Sequence, residues 1–483
     1  MQGLKQKTAN GIKWSAFERF LNISVNFVIS IIIARILSPS DYGIIGMITI
    51  FNSISIVFIE GGFSSALIRK QDRTDADYNT VFYYNISVSI LLYILIFFAA
   101  PVVANFYNIS ELTIITRIVG LNIFIGAFGS IQTTILTISI NFKNQTKISL
   151  LTLLISGIIG VVLAFNGYGV WALIVQGLLA TTFRTGLLWY FIGWKPKLIF
   201  SIVSFRELFG FGSKMMFSSL LDAIYYNIYY VIIGKQYSAL ELGFYTRAYG
   251  LATLPAQNIT DIIIRVAYPV LSEIQNDAKR LETNYRKVLK MLSYVVFPFM
   301  MFLFALSYPL IKILLTEKWL PAAPILQVLC FSFMFFPINY INRTLLEIKG
   351  RSGLLLRIEI FKKIIITITL FATAPFGIMM MCYGIVLNSI LSAGINTYYS
   401  SKLLNINFLT QMNDIIPIFI LSVLSGIIVL LSSLLFEASW LKLVVGGMIG
   451  AVFFLILSIL LKFNELKEIK NFIFKSSANI LRG

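Results

Sequence analysis

The stretch Ser30–Gly43, SIIIARILSPSDYG, returns two hundred positions later as Tyr230–Gly243, YVIIGKQYSALELG. Aligned without a gap, Ile32 and Ile33 fall on Ile232 and Ile233, and Arg35 falls on Lys235. Ser38 meets Ser238, Asp41 meets Glu241 and Gly43 meets Gly243. Each copy is an apolar helix end, one cation, a short polar turn, one acid, and a glycine that opens the next apolar run. Isoleucine matches come cheaply in so apolar a chain, but the cation–serine–acid–glycine order does not. A duplication of this kind dictates architecture before any single element does.

Composition puts the duplication in a bilayer. Hydrophobic residues make up 58% of the chain and charged ones 12%, with a mean hydropathy of +0.85. A soluble domain cannot cover that much apolar surface, whereas runs such as 86–100, 415–436 and 444–461 approach the ~20 residues that cross a hydrocarbon core. The reading is an all-α polytopic membrane protein. Cutting at polar, Gly and Pro connectors yields fourteen apolar segments. They are roughly 12–36, 42–66, 79–103, 112–140, 148–165, 168–193, 208–234, 239–264, 288–315, 322–346, 355–373, 377–400, 414–436 and 440–461.

The net charge of +18 does not point to nucleic acid, because no basic soluble face is visible. With the N-terminus inside, about 29 Lys and Arg fall in or beside inner connectors and about six beside outer ones. Both termini are therefore expected in the cytoplasm, with Lys279, Arg280, Arg286, Lys287 and Lys290 in an amphipathic excursion against the inner leaflet. Six spans lie between the starts of segments 1 and 7, an even number, so the halves run parallel. The expected division is a first lobe over 1–200, a second over 201–405, a helix pair over 406–461 and a basic cytoplasmic tail over 462–483.

Enzyme chemistry finds little support. There is no histidine, which removes His-based triads, His general bases and nearly all zinc sites. Asp75 and Asp77 make a D-x-D in a short basic loop, with no nucleotide fold around it, and no P-loop is present. Cys330 and Cys382 lie in apolar runs without metal or disulfide spacing. No cofactor is expected.

Ionisable groups inside spans are costly and face a cavity or a partner. Segment 1 carries Ser15, Arg19, Asn22, Asn26 and Ser30 on one helical face. Segment 7 carries Asp222 with Tyr225 and Tyr229, and segment 8 carries Arg247 and Arg265. Segment 2 brings Asn52 and Glu60, while Arg117, Arg184 and Arg343 belong to segments 4, 6 and 10. One reading makes these residues intramembrane salt bridges or snorkelling groups. The other makes them the wall of a wet, cationic chamber that suits an anionic ligand, since guanidinium forks match phosphate geometry.

The runs IIIARILSPSDYGIIGM (31–47) and EGGFSSALIRK (60–70) resemble the opening of bacterial polysaccharide exporters related to the Wzx flippases. ELGFYTRAYGLATLP (241–255) and VAYPVLSEIQND (266–277) resemble their seventh and eighth helices, particularly in the branch of colanic-acid and teichuronic-acid exporters. The resemblance implies the multidrug/oligosaccharidyl-lipid/polysaccharide exporter superfamily, with two six-helix lobes and often two further helices. It implies transfer of an undecaprenyl-pyrophosphate-linked oligosaccharide from the cytoplasmic to the outer face of the inner membrane. A polysaccharide polymerase and glycosyltransferases are the implied partners. On that view Arg19, Arg247, Arg117, Arg184 and Arg343, with Asn22 and Asn26, meet the cargo. Asp222 and Glu60 couple protons or sodium, or balance charge. Arg35 with Asp41, and Lys235 with Glu241, close an outer gate. The rival readings are a cation-coupled drug exporter of the same superfamily and a membrane polymerase or ligase.

Overall fold

A computed structural model describes residues 21–60, 62–139 and 141–466, without the side chains of Glu60, Phe142, Phe211, Lys214, Met215 and Ser218. All regular structure among the described residues is helical. The chain divides into two compact units, Met1–Gly243 and Phe244–Gly483.

The first unit begins with α1, described over Leu21–Ile36. It continues with α2 (Pro39–Glu60), α3 (Phe63–Arg69), α4 (Asp75–Tyr107), α5 (Leu112–Ala127), α6 (Ser130–Ile138), α7 (Phe142–Phe165), α8 (Val170–Phe191) and α9 (Ile202–Gln236). The next helix, α10 (Ala239–Glu273), starts in this unit and carries the chain into the second. Segment 112–140 is bent rather than straight: α5 and α6 meet at 45°. Gly129 sits at that break, where an added Cβ would meet Leu188 at 3.0 Å.

Local chemistry sets the helix ends. Thr74 opens α4 with a reciprocal cap, its amide donating to Asp77 Oδ2 at 2.8 Å and its hydroxyl accepting from the Asp77 amide at 3.3 Å. Such a cap contributes about 1 kcal/mol. The duplicated stretch builds the same device twice. The Asp41 amide donates to Ser38 Oγ at 3.3 Å ahead of α2, and the Glu241 amide donates to Ser238 Oγ at 3.2 Å ahead of α10. Gly43 then lies against the backbone of Ala239, and Gly243 against the backbone of Pro39, leaving no room for a Cβ at either. Positions 39 and 43 thus meet 239 and 243 reciprocally, as a two-fold related contact requires.

α9 heads the second half of the repeat, yet its contacts lie in the first unit, where it packs along α2. Gly62 and Gly212 touch backbone to backbone. Near its start, Lys70 Nζ reaches Glu207 at 2.8 Å and Asp77 at 3.1 Å. The hydrogen bond to Glu207 is the main reason the Lys70 ammonium titrates above the usual lysine range. A raised value means the tie is complete below the ordinary lysine pKa of ~10.4 and is lost only as pH climbs through the folded value. Lys70→Met removes the tie and leaves the buried Asp77 carboxylate without its cation. We expect it to lower unfolding stability by about 2 kcal/mol at neutral pH, read by thermal or denaturant unfolding in detergent.

The second unit holds most of α10, then α11 (Ala278–Ala305), α12 (Ser307–Leu315), α13 (Ala322–Met334), α14 (Phe336–Ile348), α15 (Ser352–Thr373), α16 (Ile378–Leu404), α17 (Phe408–Leu434), the short α18 (Ser439–Leu441) and α19 (Gly447–Leu460). The expected loop excursion before Lys290 is instead helix on both sides of a short turn, because Asp277 caps α11 by accepting from the Arg280 amide at 3.0 Å. The C-terminal pair docks closely. Gly426 of α17 lies on Met301, and Gly450 of α19 lies on Val429 and Phe302. Asp414 of α17 takes Arg286 Nε at 2.6 Å and Lys290 Nζ at 2.9 Å, with its own side chain only 7% exposed. Removing one member of a buried pair strands the others, so Asp414→Ala is expected to cost about 3 kcal/mol in detergent unfolding. Cys330 on α13 and Cys382 on α16 are both buried and not bonded to each other.

Apolar stripes face outward in each unit. On α4, Ile90, Leu91, Ile94, Leu95, Phe98 and Val102 are exposed at helical spacing, and on α17 so are Leu409, Ile416, Ile420, Leu424, Ile427 and Leu431. Surfaces of this kind belong against lipid. Nine helices among the described residues are long and apolar enough to cross a membrane, or ten if the α5–α6 pair is one span. The fourteen expected segments each overlap a helix or a broken helix pair. That smaller tally excludes α1, α9, α10 and α15; α15 carries Arg357, Glu359, Lys362 and Lys363 in its length. This is a multi-pass helical membrane protein.

Candidate binding cavity

Inside the first unit, α1, α2, α5, α6, α7 and α8 enclose a cavity of about 630 Å³. Helical spacing supplies its walls. On α8, Gln176, Thr181, Arg184 and Thr185 share a face with Gly177 and Ala180. On α7, Ser149, Thr152 and Ser156 follow at spacings of three and four. Asn122 and Gly126 come from α5, Asn52 from α2, and Asn22 and Asn26 from α1. Small residues keep neighbouring helices close: an added Cβ on Gly160 of α7 would meet Gln176 at 2.9 Å.

Several of the wall hydroxyls are already donating within the unit. Ser156 Oγ donates to the Thr152 carbonyl at 2.7 Å, Thr133 Oγ1 to Gly129 at 2.9 Å and Thr185 Oγ1 to Ile125 at 3.2 Å. These hydroxyls keep acceptor lone pairs for an occupant. Asn122 Oδ1 and Thr152 Oγ1 are buried without a hydrogen-bond partner among the described residues. Arg184 has no acidic partner among the described residues, and it is the one charged group among the described lining residues. A guanidinium without a counter-ion on a wall of amides and hydroxyls is an arrangement for an anionic, hydroxyl-bearing ligand.

The cavity gathers Arg184, Asn22 and Asn26 from the residues expected in a cationic chamber. Others have different surroundings. Arg117 lies over the Phe97 ring at 4.2 Å, with Nε donating to the Phe97 carbonyl at 3.3 Å. Arg343 pairs with Glu347 at 3.1 Å, and the Arg247 guanidinium lies 5.8 Å from the Trp319 ring centre. Asp222, on α9, is not among the lining residues. Arg19 lies outside the described residues, and the Glu60 side chain is likewise not described. Of the four gate residues, Asp41 and Glu241 bond to Ser38 and Ser238. Lys235 Nζ donates to the Phe106 carbonyl at 2.5 Å. Arg35 stands at the end of α1. Asp75 and Asp77 serve an ion pair to Lys197 and the Thr74 cap.

Asn122, Thr152, Gln176 and Thr181 were not singled out by sequence reasoning. Their signal was the uncharged polar residues on segments 4, 5 and 6, which a search for intramembrane charges passes over. In the second unit, polar side chains bond across neighbouring helices. Asn396 Nδ2 donates to Asn339 Oδ1 at 2.8 Å, Asn342 Nδ2 to Thr397 Oγ1 at 3.2 Å, and Ser332 and Ser389 share a 2.6 Å bond. α13–α14 and α16 stand, in chain order, where α5–α6 and α8 stand in the first half, and there side chain meets side chain.

The helical fold is shared with solved polytopic membrane proteins. It matches the solved lipid II flippase MurJ in an inward closed conformation with a TM-score of 0.75 at 17% identity, covering 93% of this chain and 98% of that one. An inward-facing multidrug resistance MATE transporter of the MOP superfamily matches with a TM-score of 0.61 at 14% identity, covering 80% and 94%. The chain belongs to the family of polysaccharide biosynthesis proteins, whose profile matches residues 32–324. Among relatives, the teichuronic acid biosynthesis protein TuaB of Bacillus subtilis (strain 168) is 25% identical over 431 residues, 89% of each chain. The lipopolysaccharide biosynthesis protein WzxC of Escherichia coli (strain K12) is 22% identical over 400 residues, 82% of this chain and 80% of its own.

Proposed function

We propose that this protein is a flippase: it carries an undecaprenyl-pyrophosphate-linked oligosaccharide from the cytoplasmic to the outer face of a bacterial inner membrane by alternating access. The observation that carries the reading is the first-unit cavity with Arg184 on its wall and no acidic partner for it among the described residues. Membership of the polysaccharide biosynthesis family and the shared fold of a lipid flippase support it. Arg184, Asn22 and Asn26 contact the cargo, while the polyprenyl chain stays in lipid.

The proposed topology has fourteen crossings, six in each half of the repeat and a final pair, with both termini cytoplasmic as the Lys and Arg distribution requires. The protein hands its cargo to a polysaccharide polymerase and receives it from glycosyltransferases. It transports rather than catalyses, since the chain has no histidine and its D-x-D serves a helix start. Asp222 and Glu60 are the candidates for proton or sodium coupling. A drug exporter for cations is the weaker reading, because no carboxylate is found among the described lining residues.

The test is restoration of glycan export in a bacterial strain deleted for its own flippase and supplied with this chain. Recovery of export supports the reading. An undiminished pool of lipid-linked oligosaccharide on the inner face, despite normal membrane insertion, overturns it.

A further inference from the structure

We infer that the connector between α8 and α9, residues 192–201, forms with the first turn of α9 a binding surface for the headgroup of an anionic phospholipid. The inference rests on the proposed topology for the leaflet it meets, the inner one, and not on the cargo. No acid occurs between Glu111 and Glu207, while Lys143, Lys147, Lys195, Lys197 and Arg206 fall where α7 and α9 begin and α8 has just ended. Lys197 is engaged by Asp75 at 2.5 Å, and Glu207 is engaged by Lys70 at 2.8 Å. Lys195 and Arg206 are exposed and have no acidic partner among the described residues.

The connector is not helical, yet it is held firmly on one side. The Lys197 amide donates to Asn79 Oδ1 at 2.5 Å and the Ser201 amide to Thr80 Oγ1 at 2.9 Å, both near the start of α4. Trp194 meets Phe82 edge-on at 5.6 Å and Phe205 stacks on Phe63 at 5.7 Å, so both rings are seated in one apolar cluster. Each free cation therefore follows an anchored aromatic ring in sequence. Ile148, next to Lys147, packs with Ile192 and Trp194, which brings the start of α7 to the same place.

The other side of the connector is apolar and bare. Leu198 is 96% exposed and Val203 77%, with Phe200 and Ile202 exposed between them. Such side chains do not belong in water, and an irregular backbone does not belong in hydrocarbon, where its amides would lack partners. The headgroup level satisfies both: apolar tips dip toward the acyl chains while Lys and Arg stay with the phosphates. Tyr190, 82% exposed in the last turn of α8, suits the same depth. The bare surface also continues along α9 through the exposed Phe209 and Phe217. Cations of one sign above an apolar face that runs on into the bilayer match a lipid, which carries phosphate above and acyl chains below. A protein partner would have to leave that apolar continuation uncovered.

The experiment titrates the full chain in detergent with phosphatidylglycerol and with phosphatidylcholine of the same acyl chains, counting bound lipids by native mass spectrometry. Glycerol 3-phosphate serves as the soluble anion. The wild type is expected to prefer phosphatidylglycerol, and the double variant Lys195→Gln, Arg206→Gln to bind it about tenfold more weakly with phosphatidylcholine unchanged. The exchange Lys195→Arg, Arg206→Lys is expected to keep the preference, which separates lost charge from lost fold. Arg117→Gln with Lys312→Gln removes the same charge from groups engaged by Phe97 and Glu317, and is expected to change nothing. Equal binding of the two lipids by the wild type overturns the proposal. So does an unchanged phosphatidylglycerol response in the first variant, an equal loss in the charge-matched control, or competition by glycerol 3-phosphate at the concentration of the lipid.

A second arm tests the leaflet separately. In a Lys195→Cys chain, an impermeant maleimide is expected to label inside-out vesicles and spare intact cells. Labelling of intact cells would overturn the topology and leave the lipid site standing, whereas loss of lipid preference with labelling confined to inside-out vesicles would sink the site alone.

Discussion

Arg184→Glu is expected to reduce export of a lipid-linked oligosaccharide at least about a hundredfold while leaving the protein as stable as the wild type. The reversal replaces a charge-assisted hydrogen bond, worth about 1.5–3 kcal/mol, by repulsion of the same anionic cargo. Stability is spared because Arg184 has no acidic partner among the described residues and sits at an open part of its helix, where substitutions usually stay within about 0.5 kcal/mol. Detergent melting curves and export in the deletion strain, measured on the same variant, check the two halves. Matching losses of stability and export would make Arg184 a structural residue and remove it from the site. Arg117→Ala is the companion control. Its guanidinium is occupied by the ring and carbonyl of Phe97, so export should persist.

Gly43→Val and Gly243→Val should each lower stability by about 3 kcal/mol or more, through a different cause. A side chain at either position would enter the backbone of Ala239 or Pro39, and backbone cannot swing aside as a flexible side chain does. The helix starts must separate, or the duplicated turns must distort. Gly250→Ala and Gly394→Ala form the reference set, because nothing lies within 4 Å of a Cβ there. Fluorescence-detected gel filtration and melting temperature read the difference. Wild-type behaviour of Gly43→Val would mean that the two capped turns do not touch.

Much of this architecture was legible in residues. The serine–acid spacing in SPSD and SALE is a helix start, and the structure builds one at each place. The asparagines at 22 and 26 announced a polar face, and they line the cavity. What spacing could not convey was which neighbours a cation would find. Arg117 and Arg184 look alike as lone arginines in apolar helices, but Phe97 stands beside only one of them. The acids of the repeat were expected to hold a gate with Arg35 and Lys235. The Asp41 carboxylate accepts from the amide and hydroxyl of Ser38, and the Glu241 carboxylate from the hydroxyl of Ser238, so each acid also serves as the cap of its own turn. α9 illustrates a further limit. The repeat places it at the head of a second half, while two glycines and Lys70 tie it to α2, α3 and α4, contacts that no pattern along the chain announces.

The burial of Cys330 and Cys382 has a practical consequence. A thiol enclosed among apolar side chains is inert to polar maleimides, since reaction requires an accessible thiolate. The natural chain is thus its own silent background for chemical labelling. A cysteine introduced as Asn26→Cys reports water access to the hollow directly, and its protection by added glycan can be followed without first stripping the chain of native sulfur.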